Sequence, residues 1–223
     1  MKLLAIDATE DACSAALWLD GEVTERFKIA PRRHSELILP MMDGLLRDAG
    51  LTLGGLDALA FACGPGAFTG LRIATSVTQG AAFGARLPVV PVSSLQALAQ
   101  GVWMRYGEGA VLAAFDARMN EVYWGVYRVD DAGVMRAQTG DAVAAASDVV
   151  VPGGNDWCGA GSGWPAYRDD LAHSGVTRLY DDAVVHAGAV AGVAARLYDE
   201  GAVVPAEQAL PVYLRNQVAW AKA

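Results

Sequence analysis

The chain has 223 residues, 53% of them hydrophobic, which suits one compact domain or two small lobes with a sizeable core. Its net charge is −8, and Arg32-Arg33 is the only basic cluster, which argues against a protein that holds nucleic acid by itself. The apolar runs end well short of membrane-spanning length and Asp7 comes too early for a signal peptide, so we expect a cytoplasmic protein with no membrane segment.

The first part of the chain predicts three sequential antiparallel strands, which cover residues 2–7, 12–19 and 22–29. Asp20-Gly21 is a hairpin turn signal between the second and third strands. Asp7 and Thr9 lie at the end of the first strand. Asp7 is either a carboxylate that faces a metal–phosphate group or a turn residue that bonds its own backbone.

A helix is predicted over residues 35–49, with Ser35 as N-cap and Glu36 in the first turn, where the helix dipole favours an anion. Its apolar positions cover nearly half of the circumference, more than a one-sided stripe needs. We expect either a helix between its own sheet and a partner or a well-buried core helix. His34 lacks a second His at position 38, which is Ile38, so a hydrogen-bonded structural role is favoured over metal binding.

Residues 56–83 predict a buried strand, a tight glycine loop over 64–70 and a helix. Thr69 stands where an N-cap belongs, and Gly64 and Gly66 leave backbone N–H groups open to an anion. However, the loop lacks the Lys-Ser/Thr ending of a P-loop and the spacing of a dinucleotide fingerprint. The alternative is a structural turn that lets the helix pack close to the sheet.

The helix after this loop contains many small residues, which make it a poor autonomous helix but let other backbones approach closely. We therefore expect it to pack on more than one side. Arg72 lies in its first turn, where a cation opposes the helix dipole. Arg72 is either paired with a partner elsewhere or solvated at the surface.

The second half of the chain repeats the first. A strand over 87–92 and a helix capped by Ser93 or Ser94 precede a boundary at 107–109, and then 111–117 echoes 2–8. Strand 121–129 follows. We predict a duplicated α/β unit with lobes over 1–106 and 107–223, as in the actin-like and sugar-kinase-like folds, in which a nucleotide lies between the lobes.

The remaining elements are predicted with a weaker pattern: a short helix over 141–146, a strand and glycine loop over 157–164, a helix to 173, a strand over 176–180, a helix over 185–200 and an ordered tail over 210–215. The three cysteines are widely spaced and lack CxxC spacing, so neither disulfides nor a zinc site is indicated. We expect Cys13, Cys63 and Cys158 to be small buried apolar residues.

The chain resembles the bacterial TsaB (YeaZ) family over residues 4–9, 34–36 with 39–40, 64–73, 115–118 with 121–123, 159–161 and 211–215. The resemblance implies an actin-like (ASKHA, ribonuclease H-like) fold and a subunit without enzymatic activity of its own. It implies a heterodimer with a TsaD-like subunit, which transfers threonylcarbamoyl to N6 of adenosine 37 in tRNAs reading ANN codons, and contact with a TsaE-like ATPase. It further implies a homodimer when alone, only indirect contact with tRNA, and no cofactor apart from ATP held by partners or at the complex interface.

The family resemblance also implies that two helices, over 35–49 and 70–84, form the contact with TsaD and with a second copy. One expected interface residue, His34, directly precedes the first helix. The others lie on the two helices and are Ser35, Glu36, Leu37, Met41, Leu45, Arg72, Ile73, Ser76 and Gly80.

The same resemblance assigns vestigial phosphate loops to Asp7, Thr9, Gly64, Gly66, Thr69 and Asp116. The turns Asp7-Ala8-Thr9 and Asp116-Ala117-Arg118 lack the glycines that let phosphate approach backbone, so tight ATP binding is not expected. An actin-like ATPase or phosphotransferase that uses Asp7, Thr9 and Asp116 is the alternative function. A metallopeptidase is a remote one, because the histidines at 34, 173 and 186 have no ligand spacing.

Overall fold

The computed structural model describes residues 1–153 and 156–215, which form two mixed β-sheets with helices between and outside them. The first sheet has the order β3-β2-β1-β4-β5, in which β1, β2 and β3 are antiparallel neighbours while β4 and β5 run parallel to β1. Its strands are β1 Lys2–Asp7, β2 Ala12–Leu19, β3 Glu22–Ile29, β4 Ala58–Gly64 and β5 Val89–Ser93.

The second sheet repeats this arrangement with the order β11-β10-β6-β7-β8, and β9 adds a further pairing to β7. Its strands are β6 Ala110–Asp116, β7 Glu121–Val129, β8 Met135–Ala137, β9 Ala142–Ala145, β10 Cys158–Ala160 and β11 Arg178–Tyr180. In both sheets the first strand pairs antiparallel with the second, and it pairs parallel with a later strand, β4 in the first sheet and β10 in the second. The predicted duplication is therefore present in the topology.

The helices form layers on the faces of these sheets because successive strand residues point to opposite sides. On β1, Leu4 and Ile6 pack outward with α1 and α2, while Leu3 and Ala5 pack inward with α3 and α6. The outer face of the second sheet packs against α4 and α5. The helices are α1 His34–Asp48, α2 Phe68–Ala85, α3 Ser94–Tyr106, α4 Gly163–Ala166, α5 Arg168–Leu171 and α6 Ala187–Asp199.

The two inner helices connect the halves of the chain. Helix α3 belongs to the first half in sequence but also packs on β6, β7 and β8, whereas α6 comes from the second half and packs on all strands of the first sheet. A single apolar core therefore extends from one sheet to the other through α3 and α6.

Three sequence predictions were wrong in detail. Residues 142–145 form strand β9 instead of a helix, because they extend the pairing of β7. Ser35 and Thr69 are not N-caps: α1 and α2 begin earlier, at His34 and Phe68, so Arg33 and Ala67 occupy the cap positions. The predicted cap of α3 is confirmed, because the Ser93 hydroxyl accepts the backbone N–H of Gln96.

The described segments, 1–153 and 156–215, contain no helix that combines the length and apolar character needed to cross a membrane.

Candidate functional site: an exposed helical face and a degenerate interlobe cleft

Helices α1 and α2 lie side by side on the outer face of the first sheet and present a mixed surface of small, apolar and charged groups. The sequence-predicted residues on this surface are Ser35, Glu36, Arg72, Ser76 and Gly80, which are exposed, and Leu37, Met41 and Ile73, which are half-buried. Leu39 and Phe83 add exposed apolar area, with 54% and 76% of their surface accessible. Sequence reasoning missed both, because one-dimensional periodicity does not show where a helix face stops contacting its own sheet.

Two of the predicted interface residues do not reach this surface. Leu45 packs in the core between α1 and the sheet. The His34 ring is buried, and its Nε2 lies 3.1 Å from the carbonyl oxygen of Ala12. The sequence favoured a structural role for His34 because no second His stands at position 38. The contact with Ala12 agrees with that role. Both side chains lie beneath the exposed surface of α1 and α2. The expectation that they contact a partner directly is therefore not supported by their positions.

Helix α2 is packed on three sides, as its small residues predict. Its buried side lies on β4, α1 flanks it on one side, and the short 3-10 helix Ala206–Gln208 flanks it on another. The remaining stripe is exposed. In the described part of the structure, a Cβ added at Gly80 would meet no atom within 4 Å. Packing within this chain therefore does not require glycine at this position.

Arg72 is solvent-exposed, and its guanidinium carbon lies 3.9 Å from the centroid of the Phe68 ring one turn earlier. The Phe68 ring is in turn 5.6 Å from the ring of Tyr213. Cation–π contact holds an exposed arginine in place without neutralising its charge. Arg72 is thus a fixed positive group at the N-terminal end of α2.

The glycines of the 64–70 loop allow close packing between pieces of backbone. A Cβ at Gly70 would lie 1.8 Å from the carbonyl oxygen of Ala8, and one at Gly66 would lie 2.6 Å from that of Thr9. The N–H of Ala67 donates to the same Thr9 oxygen at 2.7 Å. The turn after β1 therefore packs directly against this loop, which supports the structural interpretation of the glycines.

The contacts of Asp7 match its interpretation as a turn residue that bonds the nearby backbone. The carboxylate is fully buried, and its Oδ1 accepts the Thr9 hydroxyl at 2.7 Å and the Thr9 N–H at 3.2 Å. Burial raises the pKa of Asp7 to about 7, although the two hydrogen bonds from Thr9 act in the opposite direction. Both donors of Thr9 thus bind one oxygen of Asp7, Oδ1, at the end of β1.

Asp116 occupies the equivalent position in the second sheet, at the edge of a cleft of about 450 Å³ between the lobes. Its Oδ1 accepts the Arg118 N–H at 2.7 Å and the Tyr167 hydroxyl at 2.9 Å. The Asp116 N–H donates to the Ser162 hydroxyl at 3.1 Å, and this hydroxyl donates to Glu10 across the cleft at 2.6 Å. Asp116 is therefore used in a hydrogen-bond network that joins the lobes.

Glu10 is the cleft residue that sequence analysis missed. Its carboxylate lies deep in the cleft, and burial raises its pKa to about 7, with further contributions from the charges of Asp7, Asp11 and Asp116. A lone Glu in the bend between β1 and β2 carries no signal of this role, because its partner Ser162 is 152 residues away. The cleft therefore collects carboxylates, with Arg118 as the cation in its lining.

The described residues contain no disulfide and no cluster of potential metal ligands. Cys13, Cys63 and Cys158 are buried free thiols, as predicted, and burial raises the pKa of all three. Within 1–153 and 156–215, no three His, Cys, Asp or Glu side chains converge as a metal site would require.

Comparison with known proteins places the chain in a family. A family model described as "TsaD: tRNA N6-adenosine threonylcarbamoyltransferase" matches residues 27–222. The tRNA threonylcarbamoyladenosine biosynthesis protein TsaB of Escherichia coli is 43% identical, covering 100% of this chain and 98% of that protein. TsaB of Haemophilus influenzae is 39% identical, with 100% and 97% coverage.

The solved structure of YeaZ from Pseudomonas aeruginosa superposes with a TM-score of 0.89 at 43% identity, covering 96% of this chain and 99% of that one. A second Pseudomonas aeruginosa structure, described as an uncharacterized protein with similarity to peptidase YEAZ, gives a TM-score of 0.92 at 43% identity and the same coverage. These matches extend over the exposed helical face, the glycine loop and the interlobe cleft. The chain therefore has the duplicated actin-like fold and belongs to the TsaB (YeaZ) family of tRNA threonylcarbamoyladenosine biosynthesis proteins.

Proposed function

We propose that this chain is a non-catalytic subunit in the synthesis of threonylcarbamoyladenosine in tRNA. In this proposal it binds a TsaD-like subunit through the exposed face of α1 and α2, and the TsaD-like subunit transfers threonylcarbamoyl to N6 of adenosine 37 in tRNAs reading ANN codons. A TsaE-like ATPase joins the complex, and the chain contacts tRNA only indirectly. The observation that carries the proposal is the exposed helical face in a member of the TsaB family.

The state of the cleft supports a role without catalysis. Glycine positions that would admit a phosphate are filled by the backbone of Ala8 and Thr9. Asp7 is buried and bonded to Thr9, and the cleft lining brings Glu10, Asp11 and Asp116 together. The carboxylates of Asp11 and Asp116 disfavour a triphosphate here, because like charges in a partly desolvated site raise each other's energy. The cation of the lining, Arg118, is already paired with Asp116 at 2.8 Å. The ATPase alternative instead requires nucleotide turnover that Asp116→Asn abolishes.

The chemistry of the α1–α2 face supports protein–protein contact. The face combines exposed apolar side chains, such as Leu39 and Phe83, with the exposed small residues Ser76 and Gly80, where a partner can approach the backbone of α2. Burying such a surface against a partner is favourable in proportion to the apolar area removed from water. Glu36 and Arg72 supply opposite charges on neighbouring helices, which can fix orientation and partner choice. On the same surface, a second copy of this chain would compete with TsaD.

Titration calorimetry with a purified TsaD-like protein tests the proposed surface. Gly80→Trp fills the exposed stripe, while Arg72→Glu and Glu36→Lys reverse charges on the face. Each change is expected to weaken pairing at least tenfold, the scale of an interface anchor. Arg105→Glu reverses an exposed charge at the end of α3, away from the face, and should leave the affinity unchanged. Wild-type affinity in all three face variants would refute the proposed contact surface.

A further inference from the structure

Residues 204–215 cross from the first sheet toward the second. The segment begins in register with β5, where Val204 and Val89 exchange backbone hydrogen bonds of 2.8 and 2.9 Å. It then runs beside α2, where the Gln79 amide donates to the Ala209 carbonyl oxygen at 3.1 Å. At Val212 the backbone N–H donates to the carbonyl oxygen of Cys63, in β4, at 2.7 Å.

The next residues close over the glycine loop and the start of α2. Gly64 has a φ of +123°, and a Cβ there would lie 2.6 Å from the carbonyl oxygen of Val212. One residue later, Tyr213 packs against Phe68, and the Phe68 ring also contacts the Arg72 guanidinium. The segment thus touches the residues that fix Arg72 at the proposed partner face.

The far end of the segment is anchored on the second sheet. The Arg215 guanidinium forms an ion pair with Glu121, the first residue of β7, and lies 3.4 Å from the carbonyl oxygen of Arg118. The turn it contacts is strained, because Arg118, Met119 and Asn120 have φ values of +62°, +59° and +59°. Three successive non-glycine residues in this region need support from surrounding contacts.

We propose that Arg215 is a positioning residue of this protein. Its ion pair with Glu121 holds residues 209–215 as a strap between the two lobes, and the strap sets the position of Phe68 and Arg72. Through them it shapes the N-terminal end of the α1–α2 face. This last step rests on the proposed function, whereas the strap itself is a property of the isolated chain.

The strap is tested by hydrogen exchange of the isolated full-length chain, read by mass spectrometry. Arg215→Ala should speed exchange in peptides covering 66–73 and 210–214 by roughly fivefold, the factor that a partly exposed ion pair contributes to local opening. Peptides over 86–92, which include the upstream bridge to Val204, should not change. Arg168→Ala, which removes an ion pair with Asp181 elsewhere in the second lobe, is the matched control and should leave exchange in both peptides, 66–73 and 210–214, unchanged.

The double variant Arg215→Glu with Glu121→Arg re-forms the pair with reversed charges, so it should return exchange toward the wild-type rate. Affinity for the TsaD-like subunit should fall severalfold in Arg215→Ala and recover in the double variant. Unchanged exchange in Arg215→Ala, or no recovery in the double variant, would overturn the strap. Faster exchange with unchanged affinity would overturn the positioning role. A wild-type chain that binds no partner would refute the proposed function, and the exchange rates would still decide the strap.

Discussion

Two carboxyls, the buried Asp7 and the half-buried Glu10, lie where the first lobe meets the cleft, and each has a pKa raised to about 7. In the described residues, Oδ2 of Asp7 has no hydrogen-bond partner, which fits a carboxyl that keeps its proton in the folded state. The unfolded chain releases these protons at the lower, ordinary carboxyl pKa. Folding is therefore linked to proton uptake at both residues.

The linkage gives a prediction for Glu10. Because the folded pKa of Glu10 is above its ordinary value of 4.5, its contribution to stability is full below pH 4.5 and is lost as pH rises through about 7. Glu10→Gln removes this titration, keeps an acceptor for Ser162, and should raise the unfolding free energy at pH 8 by on the order of 2 kcal/mol relative to wild type.

Urea denaturation at several pH values between 4.5 and 8 measures this effect. Glu10→Gln should show a flatter pH profile than the wild type, whereas Glu22→Gln, at an exposed position of β3 away from the cleft, should keep the wild-type slope. Parallel profiles for the wild type and Glu10→Gln would show that Glu10 does not titrate with folding.

At the scale of single elements, α2 contains one glycine that packing requires, Gly70, and one that packing does not require, Gly80. Replacing each by alanine should therefore change stability in opposite directions. Gly70→Ala places a Cβ 1.8 Å from the Ala8 carbonyl oxygen, so the helix must move off the β1 turn. We expect a loss of at least about 3 kcal/mol in the free energy of unfolding. Gly80→Ala meets no atom within 4 Å in the described structure and should gain about 0.5–1 kcal/mol from its lower chain entropy.

Thermal or urea unfolding of Gly70→Ala and Gly80→Ala measures both changes in the free energy of unfolding. Equal effects would contradict the close approach of α2 to the β1 turn.

Helix α6 is attached to the first sheet by a polar cap. Glu25 of β3 accepts the Gly188 N–H at 2.9 Å, and its other oxygen lies 2.9 Å from Nδ1 of His186, whose ring stacks on Phe27. Glu25→Ala leaves the first turn of α6 without this acceptor and should cost about 1–2 kcal/mol of unfolding free energy. Glu22→Ala, at an exposed position of the same strand, serves as the control in urea denaturation. A loss no larger than that of Glu22→Ala would show that the cap is dispensable.

Much of the fold was predictable because its signals are local. Short apolar runs bounded by turn residues indicated strands of the first sheet, and the repeated Asp-Ala endings at Asp7 and Asp116 indicated the duplication. Strand β9 was missed because an Ala-rich run favours helix on propensity, and pairing with β7 overrides it. Glu10 and Arg215 were missed as functional candidates because each acquires its partner from a distant part of the chain.

At the scale of the whole molecule, α3 and α6 join the two sheets through one core. The lobes therefore cannot separate without exposing that core, and a partner meets them as one body. This makes the outer α1–α2 face suited to a stable contact, because its sheet is supported from behind. The cleft, in contrast, is occupied by the hydrogen bonds among Glu10, Ser162 and Asp116.

The central claim is that this chain acts by pairing with a TsaD-like subunit, and the most direct test is the mass of the mixture. Size-exclusion chromatography with light scattering would be run on the chain alone, on the TsaD-like protein alone and on both together. The account predicts a mixed species whose mass is the sum of one copy of each, lost in Gly80→Trp and retained in Arg105→Glu. Separate elution of the two proteins, with or without ATP and a TsaE-like protein, would contradict it.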